Sequence, residues 1–161
     1  MRTKTYRMCQ WLAERNGIAL HFPDTHPFRS VEALRLLIAL DARAGAVDAL
    51  FDAVFAEGRD VTDRSELERL GGELGLCDVQ ECITSAEGKD GLRANTEAAI
   101  ARGVFGVPTL AIGEELFWGF DTLDMVRDYL ADPKLFETAE MQRLGTVNYG
   151  VPGGQDRERG Q

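Results

Sequence analysis

No stretch of this sequence approaches the ~20 apolar residues of a membrane-spanning helix, and the basic start Met1-Arg2-Thr3-Lys4 leads into no apolar signal-peptide core. No membrane-spanning helix is expected, and the cytoplasm is the expected compartment. Cysteine is scarce. The three present, Cys9, Cys77 and Cys82, are odd in number and too few for a secreted disulfide framework, so they are expected as reduced, structural thiols. Cys77 and Cys82 lie five positions apart, unlike the two-residue gap of a redox or zinc-knuckle pair, and neither histidine stands beside them. No metal site is expected. Positive charge is also short: 18 Lys and Arg stand against 27 Asp and Glu, a net charge of −9 with a pI near 4.7. That balance argues against general affinity for nucleic acid or anionic membrane surfaces.

What is present fits one globular domain with a tail. The chain has 161 residues, 44% hydrophobic and 28% charged, ordinary values for a folded protein with a real core. Tyr6, Cys9, Leu12 and Ala13 recur at helical spacing over residues 5–16, and Gly17 ends that helix. Ile18-Ala19-Leu20-His21-Phe22 then alternates as a strand closed by Pro23. Ser30 is placed to cap a helix from Val31 to about Ala44, and Val47, Leu50, Phe51, Val54 and Phe55 give a second amphipathic helix ended by Glu57-Gly58. A third follows Asp63, weakened by Gly71-Gly72, and a short one spans 78–85. A longer helix runs from Lys89 to Arg102, with Leu92, Thr96, Ala99 and Ile100 expected inward and Gly103 as its C-terminal cap. After Pro108 the period changes to two. Thr109–Ile112 and Glu115–Trp118 flank Gly113-Glu114, a hairpin with a Gly-X turn, and Leu123, Val126 and Leu130 mark a final helix ending near Asp132-Pro133. Five of the 17 glycines fall in residues 145–161, a stretch expected to stay flexible because it cannot offset its ordering entropy.

An α-β opening, a helical insert and a β-β-α finish, with proline just before the hairpin, resembles the thioredoxin fold with an inserted helical domain. The segment Asn95 to Thr109, ending Gly103-Val104-Phe105-Gly106-Val107-Pro108-Thr109, and the following Leu116-Phe117-Trp118-Gly119-Phe120-Asp121 look like the C-terminal half of 2-hydroxychromene-2-carboxylate isomerases. These are relatives of kappa-class glutathione transferases and of the DsbA disulfide oxidoreductases. The likeness is dense from about 92 to 131 and collinear but weaker from 6 to 23. The fold class expected is α/β, with 1–29 and 104–135 as the thioredoxin-like portion, 30–103 as the helical insert and 136–161 as mostly flexible tail.

The resemblance implies a glutathione site. It makes the Val107-Pro108 bond cis, so that Val107 presents its free N–H and C=O to pair with the cysteinyl unit of glutathione. It also assigns Trp118, Gly119, Phe120 and Asp121 to the γ-glutamyl end. On the residues alone Asp121 is a helix cap, a role compatible with binding, and Trp118 is equally a core aromatic or a ligand contact. Phe120 departs from the pattern, since a polar residue is commoner there in both relatives. His21 and His26 flank the loop after the first strand and are expected as satisfied or solvent-facing residues, with a pocket role as the alternative.

In the family a first strand runs into a loop carrying a serine that steadies the glutathione thiolate, and the disulfide oxidoreductases carry Cys-x-x-Cys there. These 161 residues contain neither, so no catalytic residue is assigned, the serine is expected upstream of Met1, and a shortened chain is expected. The implied activity is a glutathione-dependent cis–trans isomerisation of a small aromatic or conjugated substrate, with a homodimer by analogy. The alternatives are a DsbA-type thiol-disulfide oxidoreductase or a non-catalytic thioredoxin-fold fragment.

Overall fold

The structure, a computed structural model, describes residues 2–147. It divides into two compact units, Met1–Arg102 and Gly103–Gln161.

The first unit is helical. It comprises α1 (Arg2–Arg15), α2 (Val31–Ala39), α3 (Ala44–Phe51, continued by a π-helical turn Asp52–Ala56), α4 (Arg64–Glu73), α5 (Val79–Thr84) and α6 (Ala86–Ala101). Leu36, Leu37 and Ala33 on α2, Ala46 and Leu50 on α3, Leu67 and Leu70 on α4, and Val79 and Ile83 on α5 form one buried core, as their three-and-four spacing dictates. Capping decides the helix starts. The Asp63 carboxylate accepts from the N–H groups of Ser65 (2.8 Å) and Glu66 (3.2 Å), Asp78 accepts from Glu81 N–H (2.8 Å), and Ser85 Oγ accepts from Gly88 N–H (3.0 Å), which starts α6 earlier than the expected Lys89. Ser30 occupies the cap position of α2 without making the side-chain bond.

Three expectations change here. Residues 18–22 form no strand; among the described residues no chain lies alongside to complete a ladder, and the segment is held instead by His21 N–H donating to the Phe55 carbonyl at 2.6 Å. The first 29 residues therefore group with the helices: Tyr6, Phe22 and His26 pack among one another, and Phe55 packs against both Phe22 and His26. On α6, Thr96 and Ile100 are exposed rather than inward. The helix approaches α2 through its glycine side, where a Cβ on Gly91 would stand 2.8 Å from Ile38 Cγ2. Glycine carries no weight in an apolar period, so that face is invisible to the pattern.

Arg59, mostly buried after the π turn, ties the first unit's surface by pairing with Glu66, Glu57 (3.4 Å) and Glu73 (3.3 Å). Burial opposes its charge, but the hydrogen bonds and charges of Glu66 and Glu73 prevail and raise its pKa. Glu66 is held below the usual carboxylate range, chiefly by its hydrogen bond from Arg69 and further by Arg59.

The second unit holds an antiparallel hairpin, β1 (Thr109–Ile112) and β2 (Glu115–Trp118), in the register Thr109 to Trp118 and Ile112 to Glu115. Gly113 has φ +60°, as the first turn position of a II′ hairpin requires. A 3₁₀ turn at Phe120–Thr122 leads into α7 (Leu123–Ala131). Phe117 is 1% exposed and packs against Tyr129 (5.4 Å between ring centres) and Phe136 (6.0 Å), with Val126 buried, while Leu130 stays exposed. Within the segment expected as mostly tail, residues 139–144 form α8 (Ala139–Leu144), started by Thr138 Oγ1 accepting from Met141 N–H at 3.3 Å. From residue 148 on, that expectation lies outside the described residues.

Candidate functional site

Strand alternation decides which hairpin side chains face outward. Phe117 points into the unit, so its neighbour Trp118 is presented outward and is 51% exposed. Its indole does not stand alone: it packs against Phe105 at 5.2 Å between ring centres and lies over the backbone of Gly106, where a Cβ would come within 2.6 Å of Nε1. Gly106 is glycine because the indole occupies the space of a side chain. Phe105, which the sequence analysis did not single out, is 76% exposed and completes the aromatic pair; its position two residues before Val107 was the available signal.

The ladder extends one step beyond the strands. Gly119 N–H donates to the Pro108 carbonyl at 2.9 Å, bringing the Val107-Pro108 and Gly119–Asp121 segments to the same end of the hairpin. The Val107-Pro108 peptide is cis, as is His26-Pro27. Val107 is 86% exposed, and neither its N–H nor its C=O has a partner among the described residues. Thr109 Oγ1 donates to the Gly106 carbonyl (2.6 Å) and Thr122 Oγ1 to the Gly119 carbonyl (2.8 Å), so both approaches to the site are tied by hydroxyls.

Asp121 corrects an expectation. The N-cap position of α7 belongs to Thr122, and Asp121 sits inside the preceding 3₁₀ turn, its carboxylate exposed and accepting no hydrogen bond among the described residues. The reason is the extra turn, which moves the cap one residue on, to Thr122, and leaves the acid at the helix mouth. There the leading N–H groups of a helical turn have no internal acceptor. Phe120 is 69% exposed and offers only its backbone for hydrogen bonding.

The two histidines are occupied elsewhere. Tyr6 Oη donates to the His26 carbonyl and lies 3.0 Å from His26 Nδ1. His21 lies against Gly58, where a Cβ would stand 2.3 Å from its ring. All three cysteines are free thiols. Among the described residues no group of His, Cys, Asp or Glu could hold a metal, and no helix is long and apolar enough to cross a membrane.

Residues 4–131 match the DSBA-like thioredoxin domain. The chain belongs to that family. Among its relatives, a 2-hydroxychromene-2-carboxylate isomerase of Pseudomonas putida is 34% identical over 119 residues, covering 71% of this chain and 58% of that protein. One from Sphingobium xenophagum is 32% identical over 94 residues, covering 57% and 48%. A glutathione s-transferase kappa 2 of Caenorhabditis elegans is 30% identical over 118 residues, covering 65% and 52%. A solved 2-hydroxychromene-2-carboxylate isomerase superposes with a TM-score of 0.71 at 26% identity, over 91% of this chain and 70% of that one. The thioredoxin-like DsbA fold, mostly helices with a small two-stranded sheet, is thus shared with an isomerase of known structure. The chain spans about half the length of the curated DsbA-family relatives it matches.

Proposed function

We propose that this protein is a glutathione-dependent cis–trans isomerase of the 2-hydroxychromene-2-carboxylate isomerase type, acting on a small aromatic or conjugated substrate. The observation that carries the reading is the pairing of unpaired groups at one end of the hairpin: the N–H and C=O of Val107 beside the free carboxylate of Asp121. Both are exposed polar groups of the kind a short peptide satisfies, and the kinship with isomerases and a kappa-class transferase supports glutathione as that peptide.

In this reading Val107 donates its N–H and accepts through its C=O, pairing as a strand with the cysteinyl unit. Pro108 offers no donor of its own and keeps its carbonyl engaged by Gly119. Asp121 takes the γ-glutamyl ammonium as a charge-assisted partner, while the backbone N–H groups of Phe120 and Asp121 face its carboxylate. Trp118 and Phe120 wall the site with apolar surface, which lowers the local dielectric around those bonds. The chemistry a glutathione thiolate supplies is reversible addition to a conjugated double bond, which frees a carbon–carbon bond to rotate and returns the thiolate unchanged.

Calorimetric titration of the full chain with glutathione tests this. Saturable binding is expected, weakened about tenfold in Asp121→Ala, the worth of one charge-assisted hydrogen bond. The melting temperature of that variant should not move, because the carboxylate makes no bond within the fold. Absence of binding, or equal affinity in Asp121→Ala, overturns the assignment.

A further inference from the structure

The first unit carries a cleft of about 420 Å³ lined by Arg35 of α2 and by Lys89, Leu92, Arg93, Thr96 and Glu97 of α6. It is a shallow depression, open to solvent. The residues from α6 recur at i, i+3, i+4, i+7 and i+8, one face of that helix, and the glycine-mediated approach of Gly91 to Ile38 sets Arg35, one turn before Ile38, on its rim. In a chain of net charge −9, three cations and a single acid line this cleft, leaving it locally positive.

None of these cations is neutralised. Arg35, Lys89 and Arg93 make no ion pair with any described residue; even Glu97, four residues after Arg93, does not take it. Arg35 is the least satisfied. Its Nη1 reaches the Ile83 carbonyl at a long 3.4 Å, and its Nε is buried with no hydrogen-bond partner. With Nε buried and Nη1 turned to the Ile83 carbonyl, Nη2 is the nitrogen Arg35 has left to offer an anion, and the guanidinium charge has no carboxylate beside it. Elsewhere in the same unit the arginines Arg59 and Arg69 are each held by two or more glutamates. Arg59 Nη2 is likewise buried without a hydrogen-bond partner, but Arg59 and Arg69 have carboxylate counter-charges, whereas the three cations of this cleft have none among the described residues.

We propose that this cleft is a binding site for a small dianion presenting phosphoryl or carboxylate oxygens, with Arg35 as a fixed charge at its rim and Lys89 and Arg93 as flexible charges beside it. Leu92 gives the bound molecule an apolar floor. Thr96 donates its hydroxyl to the Leu92 carbonyl at 2.8 Å, so toward a ligand it acts only as an acceptor. Glu97 sets a limit on the charge the site tolerates.

Titration of the full chain with inorganic pyrophosphate and, separately, with malonate tests the site. Lys89 and Arg93 are exposed, so Lys89→Gln/Arg93→Gln removes charge without disturbing the core. Binding of either probe is expected, weakened about tenfold or more in that double variant, tightened in Glu97→Gln, and reduced by added NaCl. Pyrophosphate alone binding assigns a phosphoryl ligand, malonate alone a carboxylate, and both a site that reads charge. No saturable binding of either probe up to about 10 mM, or equal binding in the double variant, overturns the proposal.

Discussion

Gly106 and Trp118 form a unit that neither residue explains alone. A methyl group on Gly106 would meet the indole nitrogen at 2.6 Å, and the indole is the flexible partner, so Gly106→Ala should turn Trp118 away from Phe105. We expect a shift in tryptophan emission and weaker glutathione binding in Gly106→Ala, and no further loss when Gly106→Ala is added to Trp118→Ala. A double-mutant cycle measures this; additive effects would show that the two do not act through each other. The next residue, Val107, presents both its backbone groups unpaired, which the motif Gly-Val-Pro-Thr suggested only through the family it resembles. Asp121 was legible as a polar residue at a helix start, but not as an unengaged one. The difference lies in a single 3₁₀ turn, Phe120–Thr122, set between β2 and α7.

At the scale of elements, α4 carries one part of the first unit's acid response, beside Asp60 and the cap Asp63, whose pKa values are also lowered by hydrogen bonds. Glu66 sits in its first turn between Arg59 and Arg69, and its folded pKa lies below the ordinary 4.5. A depressed carboxylate contributes stability that is complete above its unfolded pKa and is lost as pH falls through the folded value. Thermal melts of dilute protein should therefore hold steady from pH 7 to about 5 as far as this group is concerned, then fall below about 4.5. Glu66→Gln should be less stable at pH 7, because it leaves Arg59 less well paired, and its curve should approach the parent's as pH drops. Parallel curves would remove Glu66 from the acid response. The start of α4 was readable from Asp63, since an aspartate before Ser65-Glu66 has one productive geometry. Its continuation through Gly71-Gly72 was not, because a Cβ on Gly71 would stand 2.3 Å from Val79 Cγ2, and only the packing of α5 shows why glycine is there. The hairpin was the most legible element: period-two alternation and a Gly-X turn specify its register locally.

For the whole molecule, the net charge of −9 at pH 7 vanishes near pH 4.7, where self-repulsion no longer keeps copies apart. Light scattering across pH 4–8 should find the lowest solubility near pH 4.7, and equal solubility throughout would mean that the exposed apolar residues, Phe105 and Val107 among them, do not mediate association. Composition, the cap at Asp63 and the hairpin turn were determined by the sequence itself, because each depends on residues within a few positions of one another. The motif from Gly103 to Asp121 also pointed to the family before any coordinates did. The tertiary structure alone decided that residues 18–22 join the helical unit instead of a sheet, since a strand exists only beside a paired neighbour. It alone showed Trp118 outward over a glycine, Asp121 unpaired and Arg35 with a buried, unsatisfied nitrogen. Those are properties of groups brought together from distant positions, and a one-dimensional pattern holds no record of what a side chain fails to meet.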